Sequence, residues 1–175
     1  MNLPSWPTLR RALPVPVAAL VDAVLAEAER REMAVWLIGG PVRDLLLRRP
    51  IRDVDLVVEC PEEHRIEVLA RAAAPAEARV TAHARFGTVR VVTPSAGLDL
   101  AAARRERYER PGALPTVELA AIDEDLRRRD FTVNALALAL TTAARRGRPA
   151  LLDVAGGGGG PRGARAPDLP SAQLP

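Results

Sequence analysis

Residues 36–59, WLIGGPVRDLLLRRPIRDVDLVVE, run from an apolar stretch through a Gly-Gly pair and a proline-headed apolar segment into an alternation of aspartate with aliphatic residues. Val35 to Ile38 is short and partly β-branched and stops at Gly39 and Gly40, the pattern of a buried strand ending in a tight turn. Pro41 suits the first turn of a helix, because it has no N–H to leave unpaired there and its φ is already helical. The helix expected from it is brief, Val42 to about Leu47. After Pro50, Asp53 to Val58 alternates as a strand does, so Asp53 and Asp55 share one face while Val54 and Leu56 enter the core.

This arrangement implies phosphate and metal chemistry. A helix N-terminus behind two glycines directs backbone N–H groups outward with no side chain in the way, so Gly39 and Gly40 form a candidate anion seat, and Arg43, one turn on, can reach the same anion. The Cβ atoms of Asp53 and Asp55 are expected roughly 6 to 7 Å apart from the rise of a strand. Two carboxylates at that spacing can jointly hold hard divalent cations, and a metal pair stabilises both the attacking and the leaving oxygen in phosphoryl transfer. A lone Asp-x-Asp is also what any half-exposed strand shows. Its place directly after a strand, a Gly-Gly turn and a short helix favours the functional reading.

The whole string resembles the signature of the tRNA nucleotidyltransferase and poly(A) polymerase family, in its bacterial-type class that includes CCA-adding enzymes. The resemblance implies an α/β fold, a polymerase beta-like nucleotidyltransferase head with a mixed sheet of about four or five strands and packed helices. It implies template-independent transfer of a nucleotide from ATP or CTP to an RNA 3′-hydroxyl, at the tRNA 3′ end. It further implies Asp53 and Asp55 as catalytic metal ligands for two Mg2+ ions, with Asp99 as a third candidate ligand.

Composition permits this. The chain has 175 residues, 48% of them apolar but only 3% aromatic, so one aliphatic core of ordinary size is expected. All 25 basic residues are arginine, whose planar fork pairs with phosphate through two N–H groups, and the pI near 10.2 suits a polyanionic partner although the net charge is only +3. Cys60 stands alone, which excludes an internal disulfide and a cysteine-cluster zinc site. His64 and His83 have no companions at metal-ligand spacing and read as surface or structural residues. With no signal-like opening and no apolar run near 18 residues, a cytoplasmic protein without membrane contact is expected.

In chain order, residues 1–14 are proline-rich and read as extended, and Val15 to Glu32 reads as an amphipathic helix with Val17, Leu20, Val21, Val24 and Leu25 on one stripe. Residues 62–74 give a second helix, closed by Pro75. Ala84 to Val92 reads as a strand entered through Phe86-Gly87-Thr88, and Gly97 to Ala101 as another, on which Asp99 lies between Leu98 and Leu100. Were that strand to neighbour the one bearing Asp53 and Asp55, Asp99 would join them. The run after it, with Arg104, Arg105, Arg107 and Arg110, resembles the family's link to a flexible loop, and a solvated face is the competing reading.

Residues 124–138, EDLRRRDFTVNALAL, carry the second resemblance. Asp130 is a natural N-cap, and Phe131 through Leu140 reads as a helical apolar stripe. The family's string sits at a basic turn before a helix that closes over the nucleotide, which implies that Arg129 contacts the incoming nucleotide while Asp130 and Asn134 hold the turn. Glu124, Asp125 and Arg128 spell the form of the family's base-reading motif, but that motif belongs later in the chain, in a neck domain, so the role is not transferred here.

Two departures stand out. Arg48 and Arg49 follow Leu47 where the family usually has a glycine, and after Leu151-Leu152-Asp153 the chain becomes GGGGGPRGARAPDLPSAQLP, in which ten of twenty residues are Gly or Pro. The expected organisation is an N-terminal extension and helix over residues 1–33, a nucleotidyltransferase head over 34–155 and a Gly/Pro-rich disordered tail over 156–175. The neck, body and tail domains of the family are expected to be missing through truncation or frameshift. The alternatives are a poly(A) polymerase or a head that binds nucleotide or RNA without catalysis. A dinucleotide-binding domain is disfavoured, because GGPVRD lacks the GxGxxG spacing.

Overall fold

A computed structural model describes residues 6–51, 53–62, 64–83, 86–107, 110, 116–129 and 135–154. The elements run α1 (Trp6–Ala12), α2 (Val15–Arg30), β1 (Ala34–Ile38), α3 (Gly40–Leu46), β2 (Asp55–Glu59), α4 (His64–Ala73), β3 (Arg79–His83), β4 (Thr88–Val92), β5 (Gly97–Ala102), β6 (Arg104–Arg107), β7 (Thr116–Leu119), α5 (Ile122–Arg127), β8 (Leu136–Ala139), α6 (Thr142–Arg145) and β9 (Leu151–Asp153). Seven strands form one sheet in the order β3-β4-β5-β2-β1-β8-β9, and β6 and β7 form a separate ribbon. Only β2 and β5 pair in parallel; the other pairs are antiparallel, so the sheet is mixed.

The sheet is larger than the four or five strands expected, and β8 is the main reason. Residues 136–139 are a strand rather than part of a helix. Leu136 to Ala139 are all buried, with β1 on one edge and β9 on the other. A strand covered on both faces loses its period-two alternation, so an alternation of Leu and Ala reads equally well as helix. The expected extended N-terminus is also corrected: Trp6–Ala12 is helical. Leu9 is fully buried, and Trp6 Nε1 and Arg10 Nε both donate to the Asp22 carboxylate on α2, at 3.0 and 2.8 Å.

One face of the sheet is packed by α2 and α4. Leu20, Val21, Val24 and Leu25 of α2 and Ile66, Leu69 and Ala70 of α4 meet Leu37, Leu56, Val58, Val89, Val91, Leu98 and Leu100 in the main core. The other face is covered only in part. Ile122 and Leu126 of α5 and Ala144 of α6 seal Trp36, Val57, Ala137 and Ala139 into a second core. Beyond Asp99, the same face of β5, β4 and β3 carries no helix: Arg79, Thr81, His83, Arg90 and Val92 are exposed.

Candidate active site

The parallel pairing of β2 with β5 sets Asp55 directly beside Asp99. Strands so paired lie about 4.8 Å apart, so two carboxylates stand at one edge of the covered face. Asp53 precedes β2 rather than lying on it, yet the alternation holds: Asp53 and Asp55 are exposed, while Val54 and Leu56 are buried. Desolvation by the surrounding protein raises the Asp55 carboxyl above the ordinary aspartate range. The negative charges of Asp99 and Asp53 add to this, and Arg129 opposes it. These four side chains therefore share one electrostatic site.

The donor set fits a hard cation. Among the described residues no three His, Cys, Asp or Glu side chains converge into a complete cage. A divalent ion here would complete its shell with water and ligand phosphate, as magnesium characteristically does. Asp99 is partly engaged already, because Arg90 Nη1 donates to its Oδ2 at 3.2 Å.

The Gly-Gly turn forms the flank of this site beyond β1. Gly39 takes φ +69° and ψ −133°, a conformation closed to residues with a side chain, and its N–H donates to the Leu136 carbonyl at 2.9 Å. Its carbonyl accepts from the N–H groups of Val42 and Arg43, both at 3.1 Å. The Gly39 N–H is thus occupied within the fold, and Gly40 is the glycine whose backbone faces outward. A Cβ added at Gly40 would lie 3.6 Å from Arg43 Nη2, so this guanidinium lies over the bare backbone. Arg43 Nε donates to Asp44 Oδ1 at 2.9 Å, which raises the Arg43 pKa further and holds the side chain in place.

Arg129 is positioned by a residue to which sequence reasoning gave no role. Asp125, fully buried on α5, accepts from Arg129 Nε and Nη2 on one oxygen and from Arg128 Nε and Nη2 and the Arg104 N–H on the other. The clue was present in the spacing: an acid three and four residues before two arginines on a helix puts all three on one side. Asp130 and Asn134 lie outside the described residues.

The arginines after β5 are not a free basic patch. Arg105 pairs with Glu118 at 2.8 Å and Glu124 at 3.3 Å, and Arg107 with Glu118 at 3.7 Å, which ties β6 to β7. Arg104 turns inward, donating to the Phe86 carbonyl and lying 3.5 Å from Glu106. Desolvation first, then Arg128, lowers its pKa. Arg110 is exposed. Cys60 is buried just after β2, while His64 and His83 are exposed and distant in register from Asp55.

Comparison with known proteins agrees with this geometry. A family model described as the Poly A polymerase head domain matches residues 35–159. An A-adding tRNA nucleotidyltransferase of Geobacter sulfurreducens is 41% identical over 133 residues, covering 75% of this chain and 15% of that protein. A CC-adding tRNA nucleotidyltransferase of Deinococcus radiodurans is 42% identical over 122 residues, covering 69% and 31%. The solved structure of a CCA-adding enzyme in apo form II superposes with a TM-score of 0.66 at 30% identity, covering 84% of this chain and 34% of that one. A tRNA nucleotidyltransferase complexed with a primer tRNA and an incoming ATP analog gives a TM-score of 0.52 at 36% identity, over 68% and 31%. The chain spans about a third or less of the length of these relatives.

Proposed function

Because the chain belongs to the Poly A polymerase head domain family, we propose that it transfers a nucleoside monophosphate from ATP or CTP to the 3′-hydroxyl of an RNA, the tRNA 3′ end above all, without a template. The observation that carries this is the pairing of Asp55 with Asp99 on parallel neighbouring strands, with Gly40 and Arg43 on one flank. Nucleotidyltransferases of this polymerase type generally use divalent metal ions. Magnesium is the ion we assign, held by Asp53 and Asp55 with Asp99 as third carboxylate.

When bound, magnesium would supply charge stabilisation at the α-phosphate and a more acidic attacking hydroxyl. The chain's own groups supply the rest. Gly40 lets a triphosphate approach the backbone, and Arg43 faces it with a planar donor fork. Arg129, steadied by Asp125, offsets the negative charge that gathers around Asp55 as nucleotide arrives. The bond formed joins the RNA 3′-oxygen to the α-phosphorus; the bond broken releases pyrophosphate toward the Gly40 and Arg43 flank. The relatives add A, CC or CCA by name, and that choice is not assigned to any residue here. We place the reaction in the cytoplasm; no described helix is long and apolar enough to cross a membrane.

The test is incorporation of labelled ATP and CTP, separately, into tRNA lacking its 3′ end and into unstructured RNA, with magnesium and with chelator. Magnesium-dependent incorporation into the trimmed tRNA is expected, and preference for unstructured RNA with ATP alone would favour polyadenylation. A folded chain that binds RNA but incorporates nothing would be a binding head without catalysis.

A further inference from the structure

We propose that the uncovered face of β3, β4 and β5 is the seat of the single-stranded RNA 3′ end that attacks at Asp55. This rests on the transferase function proposed above and adds where the acceptor strand lies. Thr81, Arg90, Asp99 and Asp55 are register partners in one row across β3, β4, β5 and β2. Continuing that row, the pairing of Leu37 with Leu56 carries it to the end of β1, where the Gly39-Gly40 turn begins. The carboxylates therefore stand between two flanks: Gly40 and Arg43 on one side, Arg90 and Thr81 on the other.

In-line displacement at phosphorus puts the attacking and leaving oxygens on opposite sides. If pyrophosphate departs over Gly40 and Arg43, the 3′-hydroxyl enters from the Arg90 side, and the nucleotides behind it lie across β4 and β3. That surface suits a polyanion. Its residues are Arg79, Thr81 and His83 on β3, Thr88, Arg90 and Val92 on β4, and Gly97, Asp99 and Ala101 on β5. Asp99 is their one carboxylate, and it faces Arg90.

Arg90 is 59% exposed and gives one N–H to Asp99, which leaves other donors of the guanidinium directed outward. Gly97 makes room for it, since a Cβ there would lie 3.7 Å from Arg90 Nη2. At the turn between β3 and β4, Phe86 is 53% exposed, an aromatic surface of the kind on which single-stranded bases stack. The opposite face of the same strands is buried against α4, so only this face is available.

The experiment uses the 175-residue chain and a fluorescent single-stranded oligoribonucleotide of about ten nucleotides, within the site size such surfaces accept. Affinity is read by anisotropy between about 50 and 200 mM salt, the range over which phosphate neutralisation is most telling. Affinity for ATP with magnesium is measured in parallel. Arg79→Glu, alone and with Thr81→Glu, changes only exposed positions on an edge strand. We expect RNA affinity to fall about tenfold or more and the salt slope to shrink by about 0.7 for each phosphate no longer neutralised, with ATP affinity held within about twofold. An RNA affinity and salt slope that the double substitution leaves unchanged overturn the inference. If RNA binding follows Arg79 but the unsubstituted chain fails to bind ATP, the RNA seat stands and the transferase function falls.

Discussion

Arg129 reaches Asp125 with two N–H groups, Nε at 3.2 Å and Nη2 at 2.7 Å, both on the same carboxylate oxygen. The other oxygen serves Arg128 and the backbone of Arg104, so one fully buried charge organises two arginines and the root of the β6-β7 ribbon. Asp125→Asn keeps the shape and removes that charge. Breaking a buried pair of this kind costs roughly 3 to 5 kcal/mol, and urea unfolding is expected to show a loss of that order. A loss below about 1 kcal/mol would mean that solvent readily replaces the carboxylate.

Gly39→Ala should be costly out of proportion to its size. The backbone there has φ +69°, and the N–H is held by the Leu136 carbonyl, so the turn cannot easily relax. A residue held in so sparsely populated a region costs about 1 to 3 kcal/mol. Gly147, also at positive φ, has open space around it, so Gly147→Asn serves as the mild comparison in thermal melts.

Asp53→Ala and Asp55→Asn should each reduce magnesium-dependent incorporation below detection while leaving the chain folded. Retained turnover in either would remove that carboxylate from the metal role. For Asp55 the pH dependence has a definite sign. Its carboxyl titrates higher in the folded chain than in the unfolded one, so the native state holds the proton more tightly. Stability then falls as pH rises through the window between the two values, starting near the ordinary aspartate pKa of about 3.9. Asp55→Asn is therefore expected to melt no lower than the unsubstituted chain at neutral pH, and the difference should vanish below about pH 4.

Burial pushes the Cys60 thiol up to about 12. The thiolate is the reactive form, so alkylation of native protein at about pH 8 should be far slower than alkylation of an unfolded peptide, whose thiol titrates near about 8.5. Labelling would then report unfolding. Rapid labelling under native conditions would show that the end of β2 opens on its own.

Much of the active site was readable before any coordinates, because Gly39, Pro41, Asp53 and Asp55 each have a local reason for their identity. Asp99 was a candidate only on condition that β5 neighbour β2, and the parallel register of Asp55 with Asp99 meets that condition. Two things were not readable. Leu136 to Ala139 are covered on both faces, which erases the pattern that separates strand from helix. The arginines from Arg104 to Arg107 looked like a run of free charge because their partners, Glu118, Glu124 and Asp125, come from later in the chain. Local spacing speaks for turns and single strands; pairings between distant segments leave no local mark.

The place of β1 between β2 and β8 bears on how the domain is born. One edge of β1 is closed by Leu56 and its neighbours, about twenty residues downstream, whereas the other waits for Leu138, about a hundred residues downstream. During synthesis at about 5 to 20 residues per second, the strand leading into Gly39 thus has one unpaired edge for several seconds. Since non-local pairing of this kind slows folding, acquisition of a competent Gly-Gly turn is a late event, gated by the emergence of β8 from the ribosome.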